Sequence, residues 1–185
     1  FEGRNWNPPQ KFQPLFLGRL GISKGIDLLI PAMDRFLKLY PDTTFQLILP
    51  EQPQAMAYKI RRAIKALNNS DRIILMNSQP FDQLLNLMCH ASCIIVPSYS
   101  EGFGFVAVEA ASMGIPVISS GKGALAETAS GSHIVMKTQS ANALTEALEK
   151  AYQGKWEFSP NNTFPISKSV EDYMQLIEQV LSRPG

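Results

Sequence analysis

Hydrophobic residues are distributed along the chain as short continuous runs that alternate with longer segments in which apolar residues recur every three or four positions. The short runs have the length of β-strands and lie at 14–20, 45–49, 73–76, 93–97, 116–119 and 134–136. The longer segments have the period of amphipathic helices, and this alternation is typical of a parallel sheet with crossover helices. We therefore predict an α/β fold, namely a doubly wound, Rossmann-like parallel sheet of about six strands.

The predicted helices, the shortest of them a single turn, lie at 26–39, 55–67, 81–88, 104–113, 125–128, 141–152 and 167–181. The run 93–97 is continuously apolar, as expected for a central strand that is covered on both faces. The segment 155–166 carries prolines and asparagines and is interpreted as a linker. In doubly wound sheets ligands bind beyond the carboxyl ends of the strands, so the loops that follow strands are the candidates for function.

The length and the net charge of the chain exclude or disfavour several classes of protein. The 185 residues are 45% hydrophobic and 18% charged, with 17 Lys and Arg against 16 Asp and Glu and a net charge of +1. This length suits one domain of about 100–200 residues and excludes a two-domain enzyme unless part of the protein is missing. A charge this close to zero disfavours a nucleic-acid-binding protein. The balance favours a small-molecule or protein partner.

No run of the sequence reaches the ~18 uninterrupted apolar residues of a membrane span, and the N-terminus lacks a signal-peptide pattern. We therefore expect a cytoplasmic protein. The chain begins at Phe1 rather than at a methionine, which suggests a fragment of a longer protein. Cys89 and Cys93 flank His90 without a second ligand pair elsewhere, so they are interpreted as buried thiols and not as a metal site.

The loop after the first predicted strand, 17–25, carries two cations at the entrance of the first helix. Gly18 is followed by Arg19, and Lys24 lies five residues further on. Basic side chains, backbone N–H groups and the positive end of a helix dipole together suit a phosphate or diphosphate. Solvated loop charges are the alternative interpretation. The spacing is not that of a P-loop.

The loop after the predicted central strand carries glycines and two carboxylates. Gly102 and Gly104 allow the backbone to approach a ligand closely, and the N–H groups of the next helix point to the same place. Glu109 lies within an otherwise apolar helix, where an ionised carboxylate is costly unless it is hydrogen-bonded. We expect it to bind a donor-rich group such as vicinal hydroxyls; the alternative is a carboxylate that reaches solvent or caps a neighbouring loop.

The pattern Gly102-x-Gly104-x-x-Ala107 also matches a weak form of the dinucleotide-binding fingerprint. That fingerprint normally follows the first strand, and an acidic residue should end the next strand to hold the ribose. The segment 117–120 offers no acidic residue, and Glu101 immediately before the glycines would repel a diphosphate. An NAD(P)-binding oxidoreductase domain is therefore the weaker hypothesis.

These residues resemble the carboxyl-terminal, nucleotide-sugar-binding domain of the retaining glycosyltransferases of the GT-B fold, family 4, also called glycosyl transferases group 1. The resemblance covers 14–181. Glu101 and Glu109 have the Glu-x7-Glu spacing of that family within a long Pro-Ser-x-x-Glu-Gly-Phe-Gly motif. Gly18-Arg19-Leu20 with Lys24 is similar to the phosphate-binding loop of the family, and 124–127 is similar to the segment that often ends in glutamate.

The resemblance implies a role for each matching residue. The cations Arg19 and Lys24 would neutralise the donor diphosphate as the bond to the sugar breaks. The sugar-binding group would be Glu101 with the backbone of Gly102, Phe103 and Gly104. The remaining donor contacts would come from Gly18 in the phosphate-binding loop, Glu109 on the ribose hydroxyls, and Glu127.

The resemblance also implies the reaction. The donor would be a UDP- or GDP-linked sugar, transferred with retention by a hexosyltransferase that requires no metal and no cofactor, since no Asp-x-Asp occurs in the sequence. The loop 49–53 lacks the glycines that relatives carry there, and 76–79 lacks the glycine that is common near the base-binding wall, so the nucleobase preference is not readable. A non-catalytic module that only binds nucleotide sugars is the alternative from a different class.

The resemblance finally implies a domain division, since a GT-B enzyme closes two Rossmann-like domains over a cleft. The segment 1–13 would be the remnant of an interdomain linker, and 14–185 the donor-binding domain with its terminal helix at 167–181. An N-terminal domain of the same protein would be missing, together with the contacts to an unknown acceptor and any peripheral association with the inner face of the membrane. We expect the chain alone to bind a nucleotide weakly and to transfer nothing.

Overall fold

Seven strands form one sheet in the computed structural model, which describes residues 4–182. The strands are β1 (Pro14–Leu17), β2 (Phe45–Ile48), β3 (Ile73–Met76), β4 (Cys93–Val96), β5 (Val117–Ser119), β6 (Gly131–Val135) and β7 (Glu157–Ser159). Their order across the sheet is β3-β2-β1-β4-β5-β6-β7, and every neighbouring pair is parallel except β6 and β7. The predicted doubly wound parallel sheet is confirmed, with one strand more than the sequence pattern indicated.

The part of the chain that the structure describes contains seven α-helices. They are α1 (Ile26–Leu39), α2 (Gln54–Lys65), α3 (Phe81–Cys89), α4 (Phe105–Ser112), α5 (Leu125–Thr128), α6 (Ala141–Tyr152) and α7 (Ile166–Leu181). The predicted bounds of α1, α5 and α6 are confirmed, and the other helices differ by one or two residues at one or both ends. Ser140 caps α6, because its Oγ accepts a hydrogen bond from the N–H of Ala143 at 3.2 Å.

The prediction of a linker over 155–166 is wrong for its first part, which forms β7. This strand pairs antiparallel with β6, with Ser159 opposite Gly131 and Glu157 opposite His133. Its three residues show no apolar run, so only the pairing with β6 defines the strand. Strand β6 begins three residues before the predicted 134–136. Its first residues are small or polar, so the hydrophobic pattern does not mark them as a strand.

The central position of β4 is confirmed. All four of its residues are buried, because helices cover both faces of the sheet. Phe16 and Ile95 belong to the core on one face, and Leu15 and Ile94 belong to the core on the other. Strands β1 and β4 are therefore packed on both faces, and the loops that follow them start from fixed positions.

A crevice lies where β1 and β4 are neighbours. The chain leaves β1 toward β2 on one side of the sheet and leaves β4 toward β5 on the other. The loops that follow β1 and β4 therefore diverge at their carboxyl ends, which is the topological switch point at which such sheets bind ligands.

Residues 4–13 lie against the domain. The indole Nε1 of Trp6 donates a hydrogen bond to the carbonyl of Ala91 at 2.9 Å, and the ring of Phe12 packs on Phe36 and Tyr152. The interpretation of 1–13 as a linker remnant stays a prediction, and its residues 1–3 lie outside the described residues, as do 183–185 at the end of the predicted domain.

Helix α7 exposes all 16 of its residues. Several of them are large and apolar, among them Val170, Tyr173 and Ile177. The segment before the helix is held by Asn161 and Asn162, whose side-chain amides donate to backbone carbonyls of the domain. Within residues 4–182, no helix combines the length and the apolar composition that crossing a bilayer requires.

Candidate functional site

The crevice at the carboxyl ends of β1 and β4 is an open cleft of about 470 Å³. Its walls are the loop between β1 and α1, the loop between β4 and α4, and the first turn of α4. Seven of the residues predicted from the sequence line it: Gly18, Arg19, Lys24, Glu101, Gly102, Phe103 and Gly104.

An ion pair joins the two loops across the cleft. The ammonium Nζ of Lys24 lies 2.6 Å from Oε1 of Glu101, and the two side chains are only 20% and 13% exposed. The hydroxyl of Ser98 donates to the same carboxylate oxygen at 2.7 Å. Two donors therefore fix the Glu101 carboxylate, and partial burial shields the pair from solvent screening.

Neither this ion pair nor the hydrogen bond of Ser98 was predicted. Lys24 and Glu101 are 77 residues apart in the sequence, so no spacing rule connects them. The position of Ser98, three residues before Glu101 and two residues after the end of the buried strand β4, was the available signal for the second contact. Ser98 is itself buried, and its carbonyl accepts from the hydroxyl of Ser120, so it is held from both sides.

The two loops approach closely because of Gly25. This residue has a φ of +70°, and a Cβ there would lie 2.2 Å from the carbonyl oxygen of Pro97. The N–H of Tyr99 donates to the carbonyl of Ser23 at 2.8 Å, which joins the loops a second time. The hydroxyl of Tyr99 donates to Oδ2 of Asp27 at 2.8 Å, and this hydrogen bond raises the pKa of the tyrosine. The backbone of the cleft is therefore preorganised.

Arg19 is the exposed cation of the cleft. Its side chain makes no hydrogen bond and no ion pair with any of residues 4–182, in contrast to Lys24. A guanidinium that has five donors and no partner is suited to binding an anion such as a phosphate group. Arg19 and Lys24 together make one wall of the cleft basic.

The start of α4 and aromatic rings form another part of the lining. Gly104 has a φ of +81° and precedes Phe105, the first residue of the helix. The N–H groups in the first turn of a helix lack intrahelical partners and favour an anion. The ring of Phe103 packs on Phe105 and Phe164 with centroid distances of 4.8 and 5.1 Å, so an apolar rim borders this part of the lining.

Glu109 and Glu127 lie outside the lining of the cleft. Glu109 is half-buried, one turn beyond Phe105 on α4, and its carboxylate makes no hydrogen bond with residues 4–182. Burial raises the pKa of this carboxyl above its ordinary value. Glu127 is exposed on α5, and its carbonyl oxygen accepts from the side-chain amide of Asn162. Their roles toward a donor stay predictions.

Comparison with known proteins places the chain in a family. The family model described as glycosyl transferases group 1 matches residues 4–162. D-inositol 3-phosphate glycosyltransferase of Acidothermus cellulolyticus is 36% identical over 117 residues, which are 60% of this chain and 26% of that protein. The chain thus spans about a quarter of the length of this curated relative.

Solved structures show the same fold. Sucrose-phosphate synthase from Thermosynechococcus elongatus is 30% identical with a TM-score of 0.69, over 78% of this chain and 37% of that one. Anabaena HepE, solved in complex with UDP and glucose, is 21% identical with a TM-score of 0.68, over 78% of this chain and 39% of that one. From the family match, which covers most of the chain, we conclude that this protein belongs to the glycosyl transferases group 1 family.

Proposed function

We propose that this chain binds the nucleotide-sugar donor of a family 4 glycosyltransferase. The full protein would transfer a hexosyl group from UDP or GDP to an acceptor with retention of configuration. The observation that carries the proposal is the contact between Lys24 and Glu101 in a cleft whose other cation, Arg19, is exposed and has no partner among residues 4–182.

This contact suits the bond that the reaction breaks. Glycosyl transfer separates a sugar from a diphosphate, so groups that bind the sugar must adjoin groups that bind the leaving phosphate. A carboxylate accepts hydrogen bonds from sugar hydroxyls and an ammonium donates to phosphate oxygens. With 2.6 Å between Lys24 and Glu101, the scissile bond would lie beside both side chains.

Arg19 and Lys24 supply leaving-group electrostatics in this proposal. Negative charge accumulates on the diphosphate as the glycosidic bond breaks, and fixed cations stabilise it without reorganisation. The first turn of α4 would add N–H donors from Gly104 and Phe105. The cation pair would take the place of a divalent ion, so the proposal includes neither a metal nor a cofactor.

Glu109 would bind the ribose hydroxyls. Its carboxylate lacks a hydrogen-bond partner among residues 4–182, and burial already disfavours its charge. Vicinal hydroxyls would satisfy it and favour the ionised form. Glu127 would contribute from α5, which packs against α4.

The rest of the protein would supply the acceptor site. The chain spans about a quarter of the length of a curated relative, and this supports the proposal that the full protein has a further domain. The exposed apolar residues of α7 support the same proposal, because a face with Val170 and Ile177 exposed is unusual unless another surface covers it. The chain alone would bind donor and leave it unreacted, since the cleft is open to water.

Calorimetric titration of the chain with UDP, GDP, their sugars and NAD(H) tests donor binding. We expect one nucleoside diphosphate to bind and Arg19→Ala to weaken it about tenfold, a loss typical of a charged hydrogen bond. Lys155→Ala removes an exposed cation far along the chain and serves as the matched control. Absence of binding at millimolar nucleotide, or equal affinity of the two variants, would refute the assignment.

Activity of the full-length protein separates an enzyme from a binding module. We expect it to hydrolyse or transfer the sugar of the bound donor, and we expect Lys24→Ala to abolish turnover. If the full-length protein binds the donor but shows no turnover, the protein is instead a non-catalytic module.

A further inference from the structure

Helix α2 carries an unusual concentration of positive charge. Its 12 residues include four cations and no carboxylate. Lys59, Arg62 and Lys65 are exposed and make no hydrogen bond or ion pair with residues 4–182. Arg61, by contrast, donates to the carbonyl of Leu49 and to the side chain of Asn77, so it stabilises the fold.

Exposed apolar side chains adjoin these cations. Ile22, Met56 and Tyr58 are 74%, 39% and 65% exposed. An apolar groove of about 310 Å³ runs between α1 and α2, and Ile22 and Met56 line it. Lys59 borders both this groove and a shallow depression that Tyr58 and Arg62 line. Lys65 lines neither of them but lies about one turn beyond Arg62 on the same helix, so the cations and the apolar residues adjoin one another.

We propose that this surface, defined by Ile22, Met56, Tyr58, Lys59, Arg62 and Lys65, docks on a membrane that carries anionic headgroups. Lys and Arg side chains pair with lipid phosphates, and tyrosine and aliphatic side chains partition into the interface beside them. The whole chain has a net charge of only +1, so the attraction is a property of this face. The inference is independent of the proposed function.

The apolar component favours a membrane over a nucleic acid. A phosphate backbone would use the cations but would offer nothing to the apolar groove or to Ile22. Helix α7 is also exposed and amphipathic, but its one cation, Lys168, pairs with Asp172, and the helix carries two further carboxylates, Glu171 and Glu178. Anionic lipid would repel α7 and attract α2, so dependence on lipid charge distinguishes the two helices.

Docking on this surface would place the cleft beside the bilayer. Ile22 begins the turn Ile22–Lys24, whose last residue contributes the ammonium of the cleft. The membrane contact would thus belong to this domain and would not depend on the proposed N-terminal domain.

Co-sedimentation with vesicles tests the proposal. We expect the chain to bind phosphatidylcholine vesicles that contain about 30% phosphatidylglycerol, and to be released when salt is raised from about 50 to about 500 mM. The triple variant Lys59→Ala, Arg62→Ala, Lys65→Ala should lose roughly a hundredfold in partitioning, at about fivefold for each cation near the surface. Alanine favours a helix, so this variant retains α2.

The matched control is the triple variant Lys137→Ala, Lys155→Ala, Lys168→Ala, which removes the same charge from exposed positions elsewhere. We expect it to bind anionic vesicles as the wild type does. An equal loss in both triple variants, or equal binding of the wild type to neutral and anionic vesicles, would overturn the proposal. So would displacement from vesicles by single- or double-stranded RNA at equimolar phosphate, because it would assign the surface to nucleic acid.

Discussion

Replacing Glu101 by glutamine should tighten the binding of a free nucleoside diphosphate while it impairs sugar transfer. The carboxylate of Glu101 lies 2.6 Å from the ammonium of Lys24. A phosphate oxygen bound to the same ammonium would lie about 2.8 Å from Nζ, which brings it within reach of the Glu101 charge. Glu101→Gln keeps the shape of the side chain and one acceptor oxygen, replaces the other oxygen by an NH2 donor, and removes the negative charge.

The size of the effect follows from the charges involved. Two unit charges about 5 Å apart repel each other by roughly 1–3 kcal/mol at a partly exposed site. A gain of about tenfold in affinity corresponds to ~1.4 kcal/mol and falls within this range. The donor sugar should gain less than the free diphosphate, because glutamine binds sugar hydroxyls more weakly than a carboxylate does.

Calorimetry of the nucleoside diphosphate and of its sugar, each at fixed ionic strength, measures both affinities. Glu157→Gln, which removes an exposed carboxylate from β7, controls for the change in net charge. Weaker binding of the free diphosphate to Glu101→Gln would refute the reasoning, since it would mean that the carboxylate supports the diphosphate site by ordering Lys24.

Three further predictions concern stability, each measured by chemical denaturation. Gly25→Ala should lower the free energy of unfolding by about 2–4 kcal/mol, whereas Gly154→Ala, at a φ of +71° with open space around it, should cost about 1 kcal/mol; equal losses would contradict the close approach. Ser98→Ala should cost about 1–3 kcal/mol, because Glu101 loses a buried donor, and an unchanged stability would show that this bond contributes nothing. Glu109→Gln should be more stable than the wild type near pH 7, with the difference vanishing as the pH falls below the ordinary range of a glutamate carboxyl; since burial raises the pKa of Glu109 in the folded state, its ionisation favours unfolding as the pH rises. A difference that does not depend on pH would contradict this cause.

Elements of the fold were predictable where the apolar pattern that packs on the core agrees with local signals for helix ends. Helix α1 has an apolar stripe and Pro41 just beyond its end, and α6 has the Ser140 cap, so their bounds could be predicted from the sequence. The strand β7 could not be predicted, because its residues are exposed and its hydrogen bonds come from a segment about 26 residues earlier in the chain.

The sequence predicted which loops form the site, but it did not predict how their side chains contact one another. The rule that ligands bind beyond strand ends identified the cleft residues. The contact between Lys24 and Glu101 depends on how two distant loops approach, which is determined by Gly25 and Pro97 and by no local pattern. Glu109 illustrates the intermediate case: its apolar helix predicted a carboxylate under constraint, and the structure places it half-buried with a raised pKa.

The antiparallel strand β7 also determines how the sheet ends. Without it, β6 would present unpaired N–H and C=O groups to solvent, a template on which another chain could extend the sheet. β7 occupies that template with three residues, carries the charged Glu157, and is followed at once by Pro160, which has no N–H to donate. The short strand therefore acts as protection against edge-to-edge aggregation on this side of the domain.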